Sequence, residues 1–246
     1  LKDLPDKIEK NMAARMEQKQ KELYHAHAQR LALMLQNQTE EEFADSRFQV
    51  LSELTRLRQL CCDPALVYEN YEGGSAKLDL CIELIQSAVE SGHKILLFSQ
   101  FTSMIEILTA RLQEESISYF VLQGSTKKEQ RAQMVEQFNR DDTSVFCISL
   151  KAGGTGLNLT GADIVIHYDP WWNVAVENQA TDRAHRIGQK NVVTVYKLIA
   201  KGTIEEKIIK LQQRKKELAE EILSGDEIKT ASFQREELLE LLEERF

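Results

Sequence analysis

Five short apolar runs between residues 94 and 199, separated by helical patterns, constrain the fold of this chain more than any other feature. They are KILLF (94–98), YFVL (119–122), SVFCISL (144–150), DIVIHY (163–168) and VVTVYKLI (192–199). The runs are rich in β-branched and aromatic residues and apolar on both faces, which is typical of strands covered on both sides. Helical patterns lie near residues 101–115, 126–139 and 173–187. This alternation predicts βαβ units and an α/β fold with a parallel sheet, whose ligands bind at the carboxyl ends of the strands.

Helical patterns also flank this region on both sides. Residues 6–35 and 43–62 carry apolar residues at helical spacing, and EGGSAK (72–77) is typical of a linker. Thr203 and Glu206 have the spacing of a capping box at the start of a long charged helix. We therefore expect four segments, namely 1–35, 36–75, a main domain at 76–205, and 206–246.

Size and composition indicate a globular chain without membrane segments. The chain has 246 residues, of which 42% are hydrophobic, enough for one large domain or two small ones. No apolar run reaches the roughly 18 residues of a transmembrane helix, so no membrane contact is expected. The first residues are too charged for a signal peptide, which predicts an intracellular protein. Because the chain lacks an initiator methionine and opens within a pattern, we expect it to be a fragment of a longer protein.

Charge is unevenly distributed in the C-terminal part of the chain, although the formal net charge is −8. Ten basic and three acidic residues lie between Asp182 and Lys216, whereas ten acidic and three basic residues follow from Glu217 onward. A basic region of this size can attract phosphates even on an acidic protein, but it can equally be a solvated surface. Charge alone therefore leaves nucleic-acid binding open.

The spacing of cysteine and histidine indicates no metal site. The four cysteines form no C-x-x-C pair, and reduced, mostly buried thiols are the expected state. His25 and His27 are two residues apart on an expected helix and so point to different sides, whereas a zinc site would need a spacing of four.

A loop with Gly153, Gly154 and Gly156 follows the apolar run at 144–150. Such glycines allow positive φ and let backbone amides approach an anion. The dinucleotide fingerprint requires a third glycine where this chain has Leu159, and the whole sequence lacks a Walker A loop. The loop is either a phosphate-facing loop or a tight connection, and the sequence leaves both open.

The segment after Asn173 is predicted to be a helix with two stripes of side chains. Asn173 itself is a good N-cap. At helical spacing the residues expected to face the core are Val176, Ala180, Ala184 and Ile187. A second stripe contains Gln179, Arg183 and Arg186. A guanidinium group suits a phosphoryl group and can stabilise the charge of phosphoryl transfer, while the alternative is a solvated pair of arginines.

Several motifs together resemble the Swi/Snf-type helicase-like ATPases of superfamily two. SLKAGGTGLNLTGADIVIHYDPWWN followed by QATDRAHRIGQ is similar to their motifs V and VI. KILLFSQF resembles motif IV, and LQGSTKKEQRAQMVEQFN resembles the next DNA-contacting segment. The match runs over nearly the whole chain. It implies a RecA-like three-layer lobe with a parallel sheet and flanking helical segments, the second of the two lobes of such an ATPase.

The resemblance also implies a role in nucleotide hydrolysis. In that family ATP and Mg²⁺ are held mainly by the first lobe, which carries the Walker A lysine, so this chain alone would be inactive. Arg183 and Arg186 would be arginine fingers that reach ATP on the first lobe, with Gln179 beside them. Gly154 and Gly156 would shape the loop at the nucleotide cleft. Metal ligands are not expected in this lobe.

A track for double-stranded DNA is the second implication of the resemblance. The residues that would contact DNA are Ser99, Gln100, Gly124, Ser125, Thr126, Lys151, Ala152 and Trp172. Thr126 and Glu129 have capping-box spacing, and a capped helix N-terminus presents free amides to a phosphate. Trp172 would wedge against the minor groove, whereas Trp171 is assigned to the core. Contacts to phosphate and sugar bind without reading sequence and weaken with salt.

The resemblance thus favours the second lobe of an ATP-dependent double-stranded DNA translocase, with the first RecA-like lobe in cis. Segment 1–35 would contain the exit from that lobe and a helical linker, 36–75 a helical insertion, and 206–246 a brace helix and tail. The location would be cytoplasmic in a bacterium and nuclear in a eukaryote. A non-catalytic nucleic-acid-binding α/β module is the alternative. A Rossmann-like cofactor enzyme is disfavoured by the broken glycine fingerprint.

Overall fold

The computed structural model describes residues 4–150, 152, 156–221 and 234–242, with the backbone alone for 215–221. The chain divides into two compact units. The first comprises Leu1–Ala14 and Ala76–Ile199, and the second comprises Arg15–Ser75 and Ala200–Phe246. None of the helices in these described ranges is both long and apolar enough to cross a membrane.

A six-stranded sheet with helices forms the first unit. Its strands are β1 (Lys7–Ala14), β2 (Ile95–Ser99), β3 (Tyr119–Leu122), β4 (Val145–Ser149), β5 (Ile164–His167) and β6 (Val193–Ala200). Its helices are α3 (Ala76–Glu90), α4 (Thr102–Glu114), α5 (Lys128–Arg140) and α6 (Val174–Thr181). The strand order is β1-β6-β5-β2-β4-β3. The pairs β2–β4, β2–β5, β3–β4 and β5–β6 are all parallel. The parallel α/β fold predicted from the sequence is therefore confirmed.

The five apolar runs account for this sheet. Every residue of β2, β4 and β5 is buried, because parallel strands with helices on both faces have no solvent-facing side. Phe138 on α5 packs edge-to-face on Phe146 of β4, with ring centroids 5.2 Å apart. Phe98 on β2 belongs to the same buried cluster. Burial of apolar area on this scale is the main stabilising contribution to such a unit.

The prediction of helix from residue 6 is wrong for β1. Residues 7–14 form an edge strand, and the first helix, α1 (Gln18–Gln36), begins after it. Most β1 residues are exposed, so the segment shows no apolar alternation that would indicate a strand. Its position at the sheet edge, where the backbone N–H of Val193 at the start of β6 donates to Asp6 O at 3.0 Å, overrides local helix propensity.

Helices form the second unit. They are α1 (Gln18–Gln36), α2 (Glu40–Cys62), α7 (Ile204–Glu221) and α8 (Arg235–Leu242), with a 3₁₀ turn at Pro64–Leu66. Thr39 and Glu42 form a complete capping box at the start of α2. Gln20 near the start of α1 donates to Leu60 O near the end of α2 at 2.9 Å, so the two helices run antiparallel.

The start of α7 corrects a detail of the predicted capping box. Thr203 Oγ1 accepts a hydrogen bond from Glu205 N at 3.2 Å, and the Glu205 carboxylate accepts one from Ala200 N at 2.7 Å. The hydroxyl of Thr203 therefore caps α7 through the Glu205 N–H rather than through Glu206, whereas the Glu205 carboxylate holds the backbone of Ala200. Tyr24 of α1 closes this end of α7, because its hydroxyl accepts the Ile204 N–H at 2.8 Å.

Candidate functional site

The loops at the carboxyl ends of four parallel strands carry most of the predicted site residues. Because β2, β3, β4 and β5 run in the same direction, the loops that follow them share one edge of the sheet, where ligands of parallel α/β folds bind. These loops contain Ser99 and Gln100 after β2, Gly124 to Thr126 after β3, Ala152 after β4 and Trp172 after β5.

Asp169 fixes the loop after β2 to the loop after β5. Its carboxylate accepts hydrogen bonds from the Ser99 hydroxyl at 2.5 Å and from Gln100 N at 3.2 Å. The Ser99 hydroxyl in turn accepts the N–H of Phe101 at 3.2 Å. Ser99 is fully buried, so the structure places its side chain below the surface and uses the hydroxyl internally. Asp169 was not singled out from the sequence, although a carboxylate directly after a buried strand is a usable signal.

The turn after β3 exposes Gly124 and Ser125 to solvent. The Thr126 hydroxyl accepts the N–H of Gln123 at 3.1 Å within this turn, and α5 begins two residues later with Lys127 as its N-cap. The predicted capping box of Thr126 with Glu129 is therefore wrong, because the threonine hydroxyl is engaged in its own turn. No side chain caps α5, so its first-turn amides have no side-chain acceptor at the N-cap.

The glycine loop is only partly described. Lys151, Gly153 and Gly154 lie outside the described residues. Ala152 is buried, and its N–H donates to Ser149 O at 3.0 Å. Gly156 is exposed and has φ = +104°, a conformation that side chains with a Cβ rarely adopt. The backbone conformation therefore favours glycine at position 156.

The helix after Asn173 is shorter than predicted. Asn173 caps it as expected, since Oδ1 accepts the Ala175 N–H at 3.0 Å, but α6 ends at Thr181 instead of near residue 187. The chain continues in turns because Leu159 N donates to Arg183 O at 3.0 Å and draws this segment out of helical geometry. The stripe of Gln179, Arg183 and Arg186 on one continuous helix is therefore wrong.

The residues expected to face the core from this helix divide into two groups. Ala180 and Ala184 are buried, and Val176 packs against the core while partly exposed. Ile187 is 77% exposed, so its assignment to the core is wrong. It lies in the turns beyond α6, just before Gly188 with φ = +104°.

The two arginines predicted as fingers have different environments. Arg183 is 6% exposed, and its guanidinium carbon lies 5.4 Å from the centroid of the Phe98 ring. Burial lowers the pKa of Arg183 to about 10, so it stays charged at neutral pH. Arg186 is exposed, and its Nη1 lies 3.4 Å from Leu157 O, next to Gly156 in the glycine loop.

Gln179 is exposed on α6, and beneath that helix lies a buried polar network. Glu177 is 1% exposed, its Oε1 lies 2.6 Å from Lys197 Nζ, and its Oε2 accepts the Trp171 N–H at 3.1 Å. Burial alone raises the pKa of Glu177, but His167, Lys197 and hydrogen bonds together bring this pKa below its usual value. The network fixes α6 to β6 and to the loop that carries both tryptophans.

His167 is the second buried group beneath α6. Its Nε2 lies 2.9 Å from Thr181 Oγ1, and its ring stacks on Phe98 at a centroid distance of 5.5 Å. Burial lowers the pKa of His167, which keeps the ring neutral at physiological pH. Its role is to anchor the end of α6 on the sheet.

The adjacent tryptophans are both half-buried. Trp171 packs against the core cluster, which agrees with its assignment to the core. The wedge assignment of Trp172 stays a prediction.

Among the residues that the structure describes, no group of three or more His, Cys, Asp or Glu side chains could hold a metal ion.

The chain is similar in sequence and fold to known proteins. Residues 76–188 match the model of the helicase conserved C-terminal domain. The chain is 41% identical over 247 residues to an uncharacterised ATP-dependent helicase of Mycoplasma pneumoniae, covering 99% of this chain and 23% of that protein. It thus spans less than a quarter of the length of that relative.

Two solved structures from Sulfolobus solfataricus are similar to the chain. The C-terminal domain of its SWI2/SNF2 ATPase has a TM-score of 0.78 and 31% identity, covering 98% of this chain and 100% of that chain. The core of the same ATPase in complex with double-stranded DNA has a TM-score of 0.74 and 34% identity, covering 89% of this chain and 46% of that one.

Proposed function

Because the chain belongs to the SWI2/SNF2 family of helicase-like ATPases and has the fold of their C-terminal RecA-like lobe, we propose that it is the second lobe of an ATP-dependent translocase on double-stranded DNA. The first lobe would be part of the same longer protein. The full-length protein would act inside the cell, on cellular DNA.

The observation that carries the proposal is the position of Arg186. Its guanidinium is exposed and lies beside the glycine loop, with Nη1 3.4 Å from Leu157 O. A cation in this position is available to a phosphate bound on a neighbouring lobe. Since the sequence has no Walker A loop, the triphosphate would have to be held mainly by that neighbour.

The geometry favours Arg186 over Arg183 for direct contact with ATP. Arg183 is buried against Phe98, and its carbonyl holds Leu159 N in place. It therefore supports the segment that presents Arg186, whereas the exposed Arg186 has a free path to solvent. Gln179 is exposed on the preceding helix and would act beside Arg186.

The residues of this lobe fit a triphosphate better than a metal ion. An exposed guanidinium beside a positive-φ glycine is suited to anionic oxygens. We propose that Mg²⁺ is held mainly by the first lobe. When bound, ATP supplies the phosphoanhydride bond whose hydrolysis drives the motor. Arg186 would stabilise the charge that develops on the transferred phosphoryl group.

DNA would lie along the loops at the carboxyl edge of the sheet. Gly124 and Ser125 are exposed there, next to the uncapped start of α5, whose amides suit a phosphate. The similarity to a SWI2/SNF2 core solved with double-stranded DNA supports this track. Closure of the two lobes on ATP would then move this grip relative to that of the first lobe.

The direct test uses the full-length protein. Its ATP hydrolysis is measured with and without duplex DNA of mixed sequence, together with DNA affinity over a range of salt concentrations. The proposal expects hydrolysis stimulated by the duplex and affinity that falls as salt rises. Binding of DNA without stimulated hydrolysis would instead indicate a non-catalytic nucleic-acid-binding module.

A further inference from the structure

The guanidinium group of Arg131 on α5 donates hydrogen bonds to four backbone carbonyl groups in two separate loops. In the turn after β3, Nε donates to Thr126 O at 2.8 Å, and Nη2 donates to Gln123 O at 3.2 Å and Gly124 O at 3.1 Å. Nη1 donates to Ala152 O, beyond the end of β4, at 2.7 Å. Four of the five N–H donors of the group therefore have backbone acceptors.

We infer that Arg131 is a positioning residue that holds the turn at 123–126 and the loop at Ala152 in one fixed arrangement. The inference rests on the proposed function, in which both loops belong to the DNA track. Arg131 would act on DNA through these loops and would not contact a phosphate itself.

The orientation of the turn supports this role. Its carbonyl groups at Gln123, Gly124 and Thr126 all converge on the guanidinium, which is half-buried. The exposed outer side of the turn is then formed by Gly124 and Ser125, and a Cβ added to Gly124 would meet only open space. The turn therefore exposes the backbone of Gly124 to solvent, while the guanidinium of Arg131 holds the turn on its buried side.

Only arginine can make this set of contacts. Its planar fork directs several donors to acceptors that are separated in space, whereas the ammonium of lysine is a single point of charge on a flexible stem. A lysine at position 131 would keep the charge but could not reach both loops at once. This difference separates positioning from a direct phosphate contact, which lysine would largely preserve.

The matched control lies on the same helix. Arg140 at the end of α5 is exposed and pairs with Glu136 at 2.8 Å. Replacement of Arg140 by lysine or alanine changes the same charges on α5 without touching either loop.

The test compares Arg131→Lys, Arg131→Ala and the Arg140 variants in the full-length protein. Loss of charge-assisted hydrogen bonds in both Arg131 variants should raise the duplex concentration for half-maximal ATPase stimulation about tenfold. Turnover at saturating DNA should change less than about twofold. This result would distinguish an effect on DNA binding from an effect on the chemical step. The Arg140 variants should match the wild type. If Arg131→Lys matches the wild type while Arg131→Ala lowers the salt slope by about 0.9, Arg131 contacts a phosphate directly and the inference is overturned.

Amide hydrogen exchange provides a readout that does not depend on activity. Both Arg131 variants should exchange faster in the peptide that contains residues 123–126 and also in the peptide that contains Ala152, with no change in the Arg140 variants. Faster exchange in only one peptide, or in neither, contradicts the inference. If the coupled change appears but the wild-type protein shows no DNA-stimulated hydrolysis, the loop coupling stands and the proposed function fails.

Discussion

The carboxylate of Asp169 lies 2.5 Å from the hydroxyl of Ser99, and both residues are buried. The same carboxylate accepts the Gln100 N–H at 3.2 Å. Because β2 and β5 are neighbours in the sheet, these bonds fasten the loops that follow the two strands to each other. One of those loops contains Gln100, and the other contains Trp172, so the geometry of the proposed DNA track depends on a buried acceptor.

Removal of this acceptor should destabilise the chain. Asp169→Ala leaves the buried Ser99 hydroxyl and the partly buried Gln100 N–H without this acceptor, and we expect the free energy of unfolding to fall by about 2 kcal/mol. Asp169→Asn should cost a similar amount, because its amide N–H₂ group would face one of the donors. Urea unfolding measures both. Asp142→Ala, at an exposed position, is the control and should stay within about 0.5 kcal/mol of the wild type.

Glu177→Gln should be more costly, because it removes the nearer counter-charge of the partly buried Lys197 ammonium and leaves only Glu9, whose Oε2 is 3.9 Å from Lys197 Nζ. The expected loss at pH 7 is about 3 kcal/mol. The double variant with Lys197→Met should recover a large part of this loss. Equal losses in the single and double variants would show that the ion pair is not the cause.

The pH dependence of that loss provides a second check. The pKa of Glu177 is lowered in the folded state, so its stabilising contribution is present above the ordinary carboxyl pKa of 4.5 and is lost as pH falls through the lower folded value. The difference in unfolding free energy between wild type and Glu177→Gln should therefore shrink below about pH 4.5. A constant difference down to pH 3 would contradict the assignment.

Gly156→Ala isolates the effect of backbone conformation. The added Cβ meets no atom within 4 Å, so any cost comes from φ = +104° and not from a clash. We expect a loss of about 1 kcal/mol or more in unfolding free energy. Gly124→Ala is the matched control, since its Cβ also meets open space but its φ is not in the positive region. Equal effects at both positions would contradict this explanation.

The two tryptophans should separate stability from DNA binding. Trp171→Ala removes a ring that packs against the core and should lower the unfolding free energy by about 2–3 kcal/mol. Trp172→Ala should mainly weaken the affinity of the full-length protein for duplex DNA, measured by fluorescence anisotropy. Undiminished DNA affinity in Trp172→Ala would remove this residue from the proposed track.

Strands β2 to β6 could be predicted from the sequence, because buried parallel strands appear as continuous apolar runs. β1 could not, since most of its residues are exposed and its pairing with β6 depends on chain far away in the sequence. The end of α6 was missed because helical periodicity continues to Ile187, while the hydrogen bond from Leu159 N to Arg183 O interrupts the helix.

The residues that hold the site loops in place were harder to identify from the sequence than the site residues themselves. The motifs around Gly156 and Arg186 are recognisable as short strings. The partners of Asp169 and Arg131 lie up to 70 and 21 positions away in the sequence. Their roles follow only from contacts created by the fold, which composition and spacing do not specify.

The most direct test of the account is the duplex-stimulated ATPase rate of full-length Arg186→Ala and Arg186→Lys, with Lys190→Ala as an exposed control nearby. The account predicts that both Arg186 variants lose a factor of about 10³ or more in turnover, as arginine fingers do elsewhere, while duplex affinity stays near that of the wild type and Lys190→Ala is unaffected. Near-normal turnover in both Arg186 variants would contradict the claim that this lobe completes an ATPase site.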